Sequence, residues 1–477
     1  MKTFFKKYGP VILIFLACLF FLPSLFTFFS GDDWAHLALA QISTPKELLN
    51  FFDFRYNQQS ASFYRPLPSQ FFFFIFYRLF GLSAFYYHLF TLSVFALTLY
   101  IIYKLYLSIT KSKHLAITSL FFYAFSATHF TRLYFLSAFQ EICMTFFILL
   151  SLWKYRQPSS LKNTIISITF FTMALASKET AVIFPIILVL FDLLIKKKLS
   201  KKIIPYLVVQ VIYLCLRFFL FGFHEIQAQD GYGFSLSPQK ALNTLTWYSL
   251  WSLGAPELLI SRIGSGFKVL PVFFVEYSKL AYLLLTTIII SIGLTVNLVI
   301  SSIKKISSQH LLAAGIFIIS LLPVLFFPHH KFTLELSLPL VGFSLLLGLL
   351  LKNKNRCFSY IFIAVFIILN TISVTMAKSA DTNIIRGNIS KKLYLYLKDN
   401  YPTQPVSHYF FFKNAIEGGK YVSQWGSSKQ IAFVSSFNNF FKVFYQDKNA
   451  KVFYEDYPAN LPEEHQPIIF NTSYFLQ

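Results

Sequence analysis

Long apolar runs alternate with short polar loops over the first three quarters of the chain. A helix that crosses a bilayer needs about 20 mainly apolar residues to span a hydrocarbon core of ~30 Å. The pattern therefore predicts about eleven transmembrane helices, at residues 10–29, 84–107, 114–130, 134–152, 163–177, 181–195, 203–222, 278–301, 310–327, 333–351 and 357–376.

The last hundred residues follow a different pattern. Short apolar runs at 431–435, 441–445 and 451–454 are typical of strands, and the spacing over 384–399 is typical of a helix. The predicted fold class is mainly α: a polytopic transmembrane helical bundle with a small C-terminal α/β domain. The predicted domain bounds are 1–378 for the bundle and 379–477 for the soluble domain.

The long segment 223–277 carries an aromatic, moderately apolar stretch at 243–251. It predicts an interfacial or re-entrant helix. A twelfth span is the alternative, but it would invert every later loop.

The distribution of Lys and Arg predicts on which side of the membrane each loop lies. The loops 108–113, 153–162, 196–202, 302–309 and 352–356 contain Lys or Arg and no acidic residue, which predicts that they and the N-terminus are cytoplasmic. The other loops and the C-terminal domain are then extracytoplasmic.

Composition supports a multi-pass protein of the cell membrane. Only 13% of the residues are charged, against about 25% in soluble domains, and 56% are hydrophobic. The net charge of +22 reflects the cytoplasmic loops, so a nucleic-acid partner is not expected. The four cysteines have no CxxC spacing, and no cofactor is indicated.

The first candidate for chemistry is Gly31-Asp32-Asp33-Trp34-Ala35-His36, directly after the first span. Carboxylates at the membrane surface are costly unless they are solvated or used. Asp32 or Asp33 is a candidate general base for an acceptor hydroxyl, with His36 nearby to bind substrate. Two alternatives remain: helix capping, and a divalent-metal site on these three residues, for which no further ligand is evident.

Two further motifs carry cations on the same predicted face. Tyr64 and Arg65 precede Pro66, and the Arg65 guanidinium suits a phosphate, unless it snorkels to lipid headgroups. Lys178 and Glu179 form a short turn in which Lys178 would meet a phosphate and Glu179 would hold the lysine. A solvated hairpin turn is the alternative.

A fourth motif, His329-His330-Lys331, places His330 and Lys331 as candidates for binding an anionic headgroup or diphosphate, with interfacial anchoring as the alternative. Glu141 lies inside the fourth predicted span. An intramembrane acid is a functional candidate by default, and Arg132 is its expected partner otherwise.

These motifs, in this order and on one face, resemble the GT-C membrane glycosyltransferases, with the closest likeness to the protein O-mannosyltransferase group. The resemblance covers about residues 1–200. It implies a polyprenyl-phosphate sugar donor and a hydroxyl acceptor on a glycan, lipid or protein. Asp32 or Asp33 would be the base in an inverting transfer, and Arg65, Lys178 and Lys331 would meet the lipid phosphate.

Three other classes remain open. A ligase or phosphotransferase would use the same lipid carriers. A transporter or flippase of lipid-linked sugars would need paired halves and more intramembrane polar residues. A scaffold gives no reason for acids and bases to gather on one face.

Reporter fusions test the predicted topology. A reporter in the loop 196–202 is expected in the cytoplasm and one after residue 477 outside, because five predicted spans, an odd number, separate that loop from the C-terminus. Alkaline phosphatase and fluorescent-protein fusions measure this directly. Finding both sites on one side of the membrane would contradict the odd span count.

Overall fold

The structure is a computed structural model of the chain. It describes residues 2–42, 44, 46–60, 63–221, 233–264, 266, 268–405, 408–414, 416–417, 420–421, 427–447, 450–457, 461–462 and 465–476. Residues 222–232 of the predicted seventh span and the following loop lie outside this set.

The described chain is mainly helical. Its α-helices are α1 (Lys2–Phe21), α2 (Asp32–Leu39), α3 (Glu47–Asn50), α4 (Phe54–Ser60), α5 (Phe72–Phe80), α6 (Ala84–Thr110), α7 (Lys113–Ala124), α8 (His129–Tyr134), α9 (Phe139–Tyr155), α10 (Leu161–Leu175), α11 (Phe184–Phe191), α12 (Ile204–Phe221), α13 (Pro238–Leu253), α14 (Pro271–Tyr277), α15 (Lys279–Ser302), α16 (Ser308–Leu325), α17 (Pro339–Leu351), α18 (Arg356–Ala380), α19 (Thr382–Asn400), α20 (Ser427–Val434), α21 (Asn439–Tyr445) and α22 (Ser473–Leu476).

Seven helical segments within the described residues are long and apolar enough to cross a membrane. They are Tyr8–Phe26, Ala84–Thr110, Leu136–Tyr155, Lys201–Leu220, Lys279–Lys305, Ser308–Leu325 and Arg356–Asn400. Each matches one of the eleven predicted spans. Helices of this length and composition are those of an integral membrane protein.

The other four predicted spans, 114–130, 163–177, 181–195 and 333–351, correspond to shorter helices, so eleven spans are not confirmed. The run 163–177 is one continuous helix of 15 residues, and the other three runs are broken by tight turns. In the run 181–195, for example, a 3₁₀ turn (Glu179–Ile183) and a π turn (Asp192–Lys196) leave α11 only 8 residues. Hydropathy counts apolar residues but does not detect such breaks.

Close helix crossings hold one end of the bundle together. A Cβ atom on Gly342 of α17 would lie 2.4 Å from the Ala313 carbonyl oxygen of α16, so only glycine permits this approach. Just before α17, the Ser337 side chain accepts a hydrogen bond from Thr145 of α9 at 2.8 Å. Tyr123 of α7 donates to the Ser337 carbonyl at 3.1 Å. These contacts fix the segment Thr333–Leu336, which carries Glu335.

The C-terminal part contains a parallel sheet in the order β4-β1-β5, formed by β1 (His408–Lys413), β4 (Val452–Tyr454) and β5 (Gln466–Asn471). Phe410 is in register with Val452 on one side and Ile468 on the other. A separate antiparallel pair joins β2 (Ile416–Glu417) and β3 (Lys420–Tyr421).

Some local predictions for this part are confirmed and others are wrong. The helix at 384–399 lies in α19 and the strand at 451–454 matches β4, whereas the runs 431–435 and 441–445 lie mainly in helices α20 and α21. Periodicity alone does not separate a short apolar strand from a buried helix. The stretch 243–251 is helical, in α13, where Trp247 and Trp251 are buried. That helix is not among the seven candidate spans.

The C-terminal part is docked onto α2. The Gly31 amide donates to the Val434 carbonyl at 2.9 Å, and the Trp34 indole donates to Ser390 Oγ at 2.9 Å. The Trp34 ring meets Phe440 of α21 edge-on, with 4.6 Å between centroids. Residues that begin α2 are therefore held from two sides, by the bundle and by the C-terminal part.

Replacing Trp34 by alanine is expected to loosen this docking. Trp34 is fully buried, and truncating a buried aromatic side chain costs about 3–5 kcal/mol. Thermal unfolding of the purified protein in detergent should show a lower midpoint, and limited proteolysis should release C-terminal fragments sooner. Tyr360→Ala, which removes an exposed ring on α18, serves as the control. Equal stability of the two variants would contradict the docking.

Candidate active site

The chain turns sharply into α2 at Gly31, whose φ of +52° is readily adopted by glycine. Asp32 and Asp33 follow in the first helical turn. Consecutive residues on a helix point in directions about 100° apart, so the two carboxylates face different surroundings.

Asp33 is directed inward and is buried. One of its oxygens accepts hydrogen bonds from the Ser137 amide at 2.8 Å and the Ser137 hydroxyl at 2.6 Å. The other oxygen accepts from the Ser30 amide at 3.0 Å. We call this set of contacts the Asp33 clamp. It ties the start of α2 to the turn before α9. The N-cap of α2 is Gly31, without a side-chain capping bond, so neither aspartate caps this helix as the alternative expected.

Burial raises the pKa of Asp33 to about 7. The hydrogen bonds from Ser137 and Ser30 favour the ionised form and oppose this shift, while the neighbouring charge of Asp32 adds to it. The Asp33 carboxylate thus has a structural role, because both of its oxygens accept hydrogen bonds from within the protein.

Asp32 is exposed on the surface of α2. The surrounding protein still raises its pKa by desolvation, and the positive charges of Arg386 and Arg65 act in the opposite direction. Arg386 belongs to α19 and stacks over the Phe433 ring at 5.9 Å. Asp32 therefore combines access from outside with two nearby guanidinium groups.

Arg65 is held by side chains from distant parts of the chain. Its Nε donates to Glu179 Oε2 at 2.8 Å, its Nη2 pairs with Glu179 Oε1, and its Nη1 donates to Gln140 Oε1 at 2.7 Å. Burial alone would raise the pKa of Glu179, but the Arg65 charge lowers it below the ordinary value. This bidentate pair differs from a snorkelling arginine, which would reach for the lipid headgroups.

Lys178 is buried and bridges two carboxylates. Its Nζ lies 2.9 Å from Glu335 Oε2 and also pairs with Glu141 Oε1. Burial lowers the pKa of Lys178, and the charge of Glu335 opposes that shift. Arg65, Lys178 and their three carboxylate partners Glu141, Glu179 and Glu335 are called the charge cluster below.

The pairing inside the charge cluster differs from the expected one. Glu179 binds Arg65 rather than Lys178, because the backbone of Lys178 is extended and sends consecutive side chains to opposite sides. Glu141 pairs with Lys178 rather than with Arg132. The guanidinium of Arg132 instead donates to the carbonyls of Thr333 and Leu334, at 2.9 and 3.0 Å.

His36 and His330, the two histidines predicted to bind substrate, both lie within the electrostatic influence of the charge cluster. The His36 ring packs against Phe73 at 5.3 Å, and burial together with the Arg65 charge lowers its pKa to about 4. Burial also lowers the pKa of His330, whose ring feels the charges of Glu335, Lys178 and Arg65. Both rings are consequently neutral near pH 7.

Tyr64 and Lys331 have other contacts. The Tyr64 ring stacks on Phe54 at 3.7 Å, and burial raises its pKa to about 12. Lys331 donates to Asn243 of α13 at 3.0 Å. Among the described residues, Asp32, Asp33 and His36 do not form a group arranged to hold a metal ion.

Comparison with known proteins gives little family information. No family model matches the chain, and neither does any curated protein. The chain is similar to solved structures that include two of oligosaccharyltransferase from Archaeoglobus fulgidus. The first is AglB in complex with an inhibitory peptide and a dolichol-phosphate, at 13% identity and a TM-score of 0.43, over 90% of this chain and 64% of that one.

The second structure is a complex with Zn and sulfate, at 13% identity and a TM-score of 0.44, over 92% of this chain and 62% of that one. The chain thus spans less than two thirds of the length of either. Similarity at this level does not establish a shared function, so function has to be argued from the side chains themselves.

Sequence reasoning missed several residues of the site. Ser137 lies 104 positions from Asp33, and Glu335 lies 157 positions from Lys178. Arg386, on α19, is also far from Asp32 in sequence, so these residues approach α2 or Lys178 only in the folded chain. A polar residue inside an apolar run was the available signal for Ser137, and an arginine on the C-terminal helix was the signal for Arg386.

Replacing Lys178 by methionine is expected to destabilise the fold. Glu141 and Glu335 would then be buried together without their cation, and removing one member of a buried ion pair costs about 3–5 kcal/mol. Glu335→Gln should cost less, since it leaves the Lys178–Glu141 pair intact. Unfolding midpoints in detergent measure both, and a smaller loss for Lys178→Met than for Glu335→Gln would contradict the arrangement.

Proposed function

We propose that the protein is an integral membrane glycosyltransferase. It transfers a sugar from a polyprenyl-phosphate donor to an acceptor hydroxyl on the outer face of the membrane. The observation that carries the proposal is the division between two adjacent carboxylates: Asp33 is locked into the fold, while Asp32 is accessible and lies near Arg65 and Arg386.

Asp32 acts as the general base. It accepts the proton of the acceptor hydroxyl, whose oxygen forms a bond to the anomeric carbon of the donor sugar. The bond between that carbon and the phosphate oxygen breaks, and the electron pair leaves with the polyprenyl phosphate. Attack opposite the leaving group inverts the configuration at the anomeric carbon.

The raised pKa of Asp32 suits this role. A general base works best when its pKa lies close to the working pH, because it must be ionised and yet accept a proton readily. The guanidinium charges of Arg65 and Arg386 limit the shift and keep the carboxylate available.

Negative charge develops on the leaving phosphate, and preorganised cations stabilise it. Arg386 and Arg65 are the proposed contacts. Lys178 is a positioning residue: it fixes Glu141, whose neighbour Gln140 accepts a hydrogen bond from Arg65. Glu179 orients the guanidinium of Arg65, and Tyr64, His36, His330 and Lys331 complete the proposed donor and acceptor contacts.

The proposal agrees in broad class with the two similar structures, which are both of an oligosaccharyltransferase and one of which holds a dolichol-phosphate. That agreement does not carry the argument. The alternative, a transporter or flippase of lipid-linked sugars, would use the cations but has no need of a base.

Replacing Asp32 by asparagine is expected to lower transfer by about 10²- to 10⁴-fold, the usual contribution of a general base. The donor is first identified by mass spectrometry of lipids that co-purify with the protein. Transfer is then followed in reconstituted vesicles with that donor. Its pH profile should rise through a pKa above the ordinary value for aspartate, because only the ionised base accepts a proton.

The matched control is Asp33→Asn, which removes the same charge one residue away. It is expected to lower the unfolding midpoint, whereas Asp32→Asn should leave the midpoint unchanged. Full transfer by the Asp32 variant would refute the base. Lipid translocation that survives in that variant without any detectable transfer by the wild-type protein would favour the transporter.

A further inference from the structure

The C-terminal part contains a concave surface that is separate from the charge cluster. It has a volume of about 530 Å³ and lies between the turn before α21, the first residues of α21 and the edge strand β4. Its wall includes Phe437, Asn438, Asn439, Lys442 and Tyr457. We call it the α21 recess.

The chemistry of this wall is mixed. Phe437 exposes 45% of its surface, and its ring meets Tyr457 at 5.2 Å. Asn438 and Asn439 bring amide groups, and Lys442 brings an ammonium group. Recesses that combine aromatic faces with a few placed polar groups are typical of small-molecule binding sites.

The turn that presents Phe437 is conformationally strained. Ser436 and Phe437 have φ values of +48° and +55°, a region that non-glycine residues rarely adopt. The Tyr454 hydroxyl supports the turn by donating to the Phe437 carbonyl at 3.0 Å, and the Phe437 amide donates to the Ala432 carbonyl at 2.7 Å. The fold thus holds an exposed phenyl ring in place at a cost in backbone energy.

We infer that the α21 recess binds a saccharide, namely a part of the acceptor glycan away from the hydroxyl that receives the sugar. The C–H face of a pyranose ring packs against an aromatic ring, and its hydroxyl groups exchange hydrogen bonds with amides and an ammonium. Phe437 and Tyr457 provide the first kind of surface, and Asn438, Asn439 and Lys442 the second.

The position of the recess connects it to Asp32. Val434, two residues before Ser436, accepts the hydrogen bond from Gly31, and Phe440 packs on Trp34. Asn439 and Lys442 lie on a different face of α21 from Phe440. A ligand in the recess is therefore separated from α2 by about one helix diameter, roughly 10 Å. This separation fits an acceptor of several linked sugars.

The assignment of the ligand as an acceptor depends on the proposed function, but the binding itself does not. The experiment uses the full chain in detergent and a panel of oligosaccharides of four to six sugars: a β-linked N-acetylglucosamine oligomer, an α-linked glucose oligomer and an oligomer of uronic acids. Binding is measured by saturation-transfer difference NMR and by titration.

Phe437→Asn removes the ring and suits the left-handed backbone, so the turn is retained. This variant is expected to bind at least tenfold more weakly than wild type, and Tyr457→Leu should also weaken binding. Tyr474→Ala, which removes an exposed ring elsewhere in the C-terminal part, should bind like wild type. Far-ultraviolet circular dichroism and the unfolding midpoint confirm that each variant is folded.

Absence of binding to the whole panel, or equal binding by wild type and Phe437→Asn, would overturn the inference. Asp32→Asn separates the two proposals. If that variant binds the oligosaccharide but no longer transfers sugar, both stand. If it still transfers, the proposed base is wrong while the recess remains a saccharide site. If Phe437→Asn loses binding but transfers normally at low acceptor concentration, the recess is not part of the acceptor path.

Discussion

The contact on which the site depends is the Asp33 clamp. Asp33 cannot move without leaving the Ser137 amide and hydroxyl unpaired, and a buried donor without a partner costs about 1–3 kcal/mol. Because Asp33 is fixed, the first turn of α2 has one orientation, and Asp32 must point out of the bundle. The accessible carboxylate is thus positioned by its buried neighbour, with Gly31 supplying the turn that lets both enter the helix.

The charge cluster provides the second constraint. Lys178 and Arg65 are opposed by three carboxylates from α9, the turn at 178–179 and the segment before α17. Buried charges are tolerated only when they are paired, so these elements must meet in one arrangement. Pairing also lowers the positive potential that Lys178 can offer to a phosphate. This makes Arg386, close to Asp32, a stronger candidate for that role than the lysine to which the sequence drew attention.

The sequence predicted seven of the membrane-spanning helices because each of them is a continuous apolar run of about 20 residues, the length that crossing a bilayer requires. It failed where a single turn decides the outcome, as in the runs around α11 and α17. For the site, it identified Asp32, Arg65, Lys178 and Glu179 as polar residues out of place near apolar runs. It did not identify Ser137 or Glu335, because nothing in their local sequence sets them apart. They matter because folding brings them into contact with Asp33 and Lys178, which are far away in sequence.

The start of α2 is held both by the bundle, through Ser137, and by the C-terminal part, through Val434. The Gly31 amide is satisfied by Val434 rather than by the bundle, so a rearrangement of α20 or α21 would change the backbone next to Asp32. The strained turn at Ser436 and Phe437 begins two residues later. Any ligand that contacts this turn therefore contacts the segment that borders the candidate base. The α21 recess and the contact beside Asp32 thus share one short stretch of backbone, Val434 to Phe440.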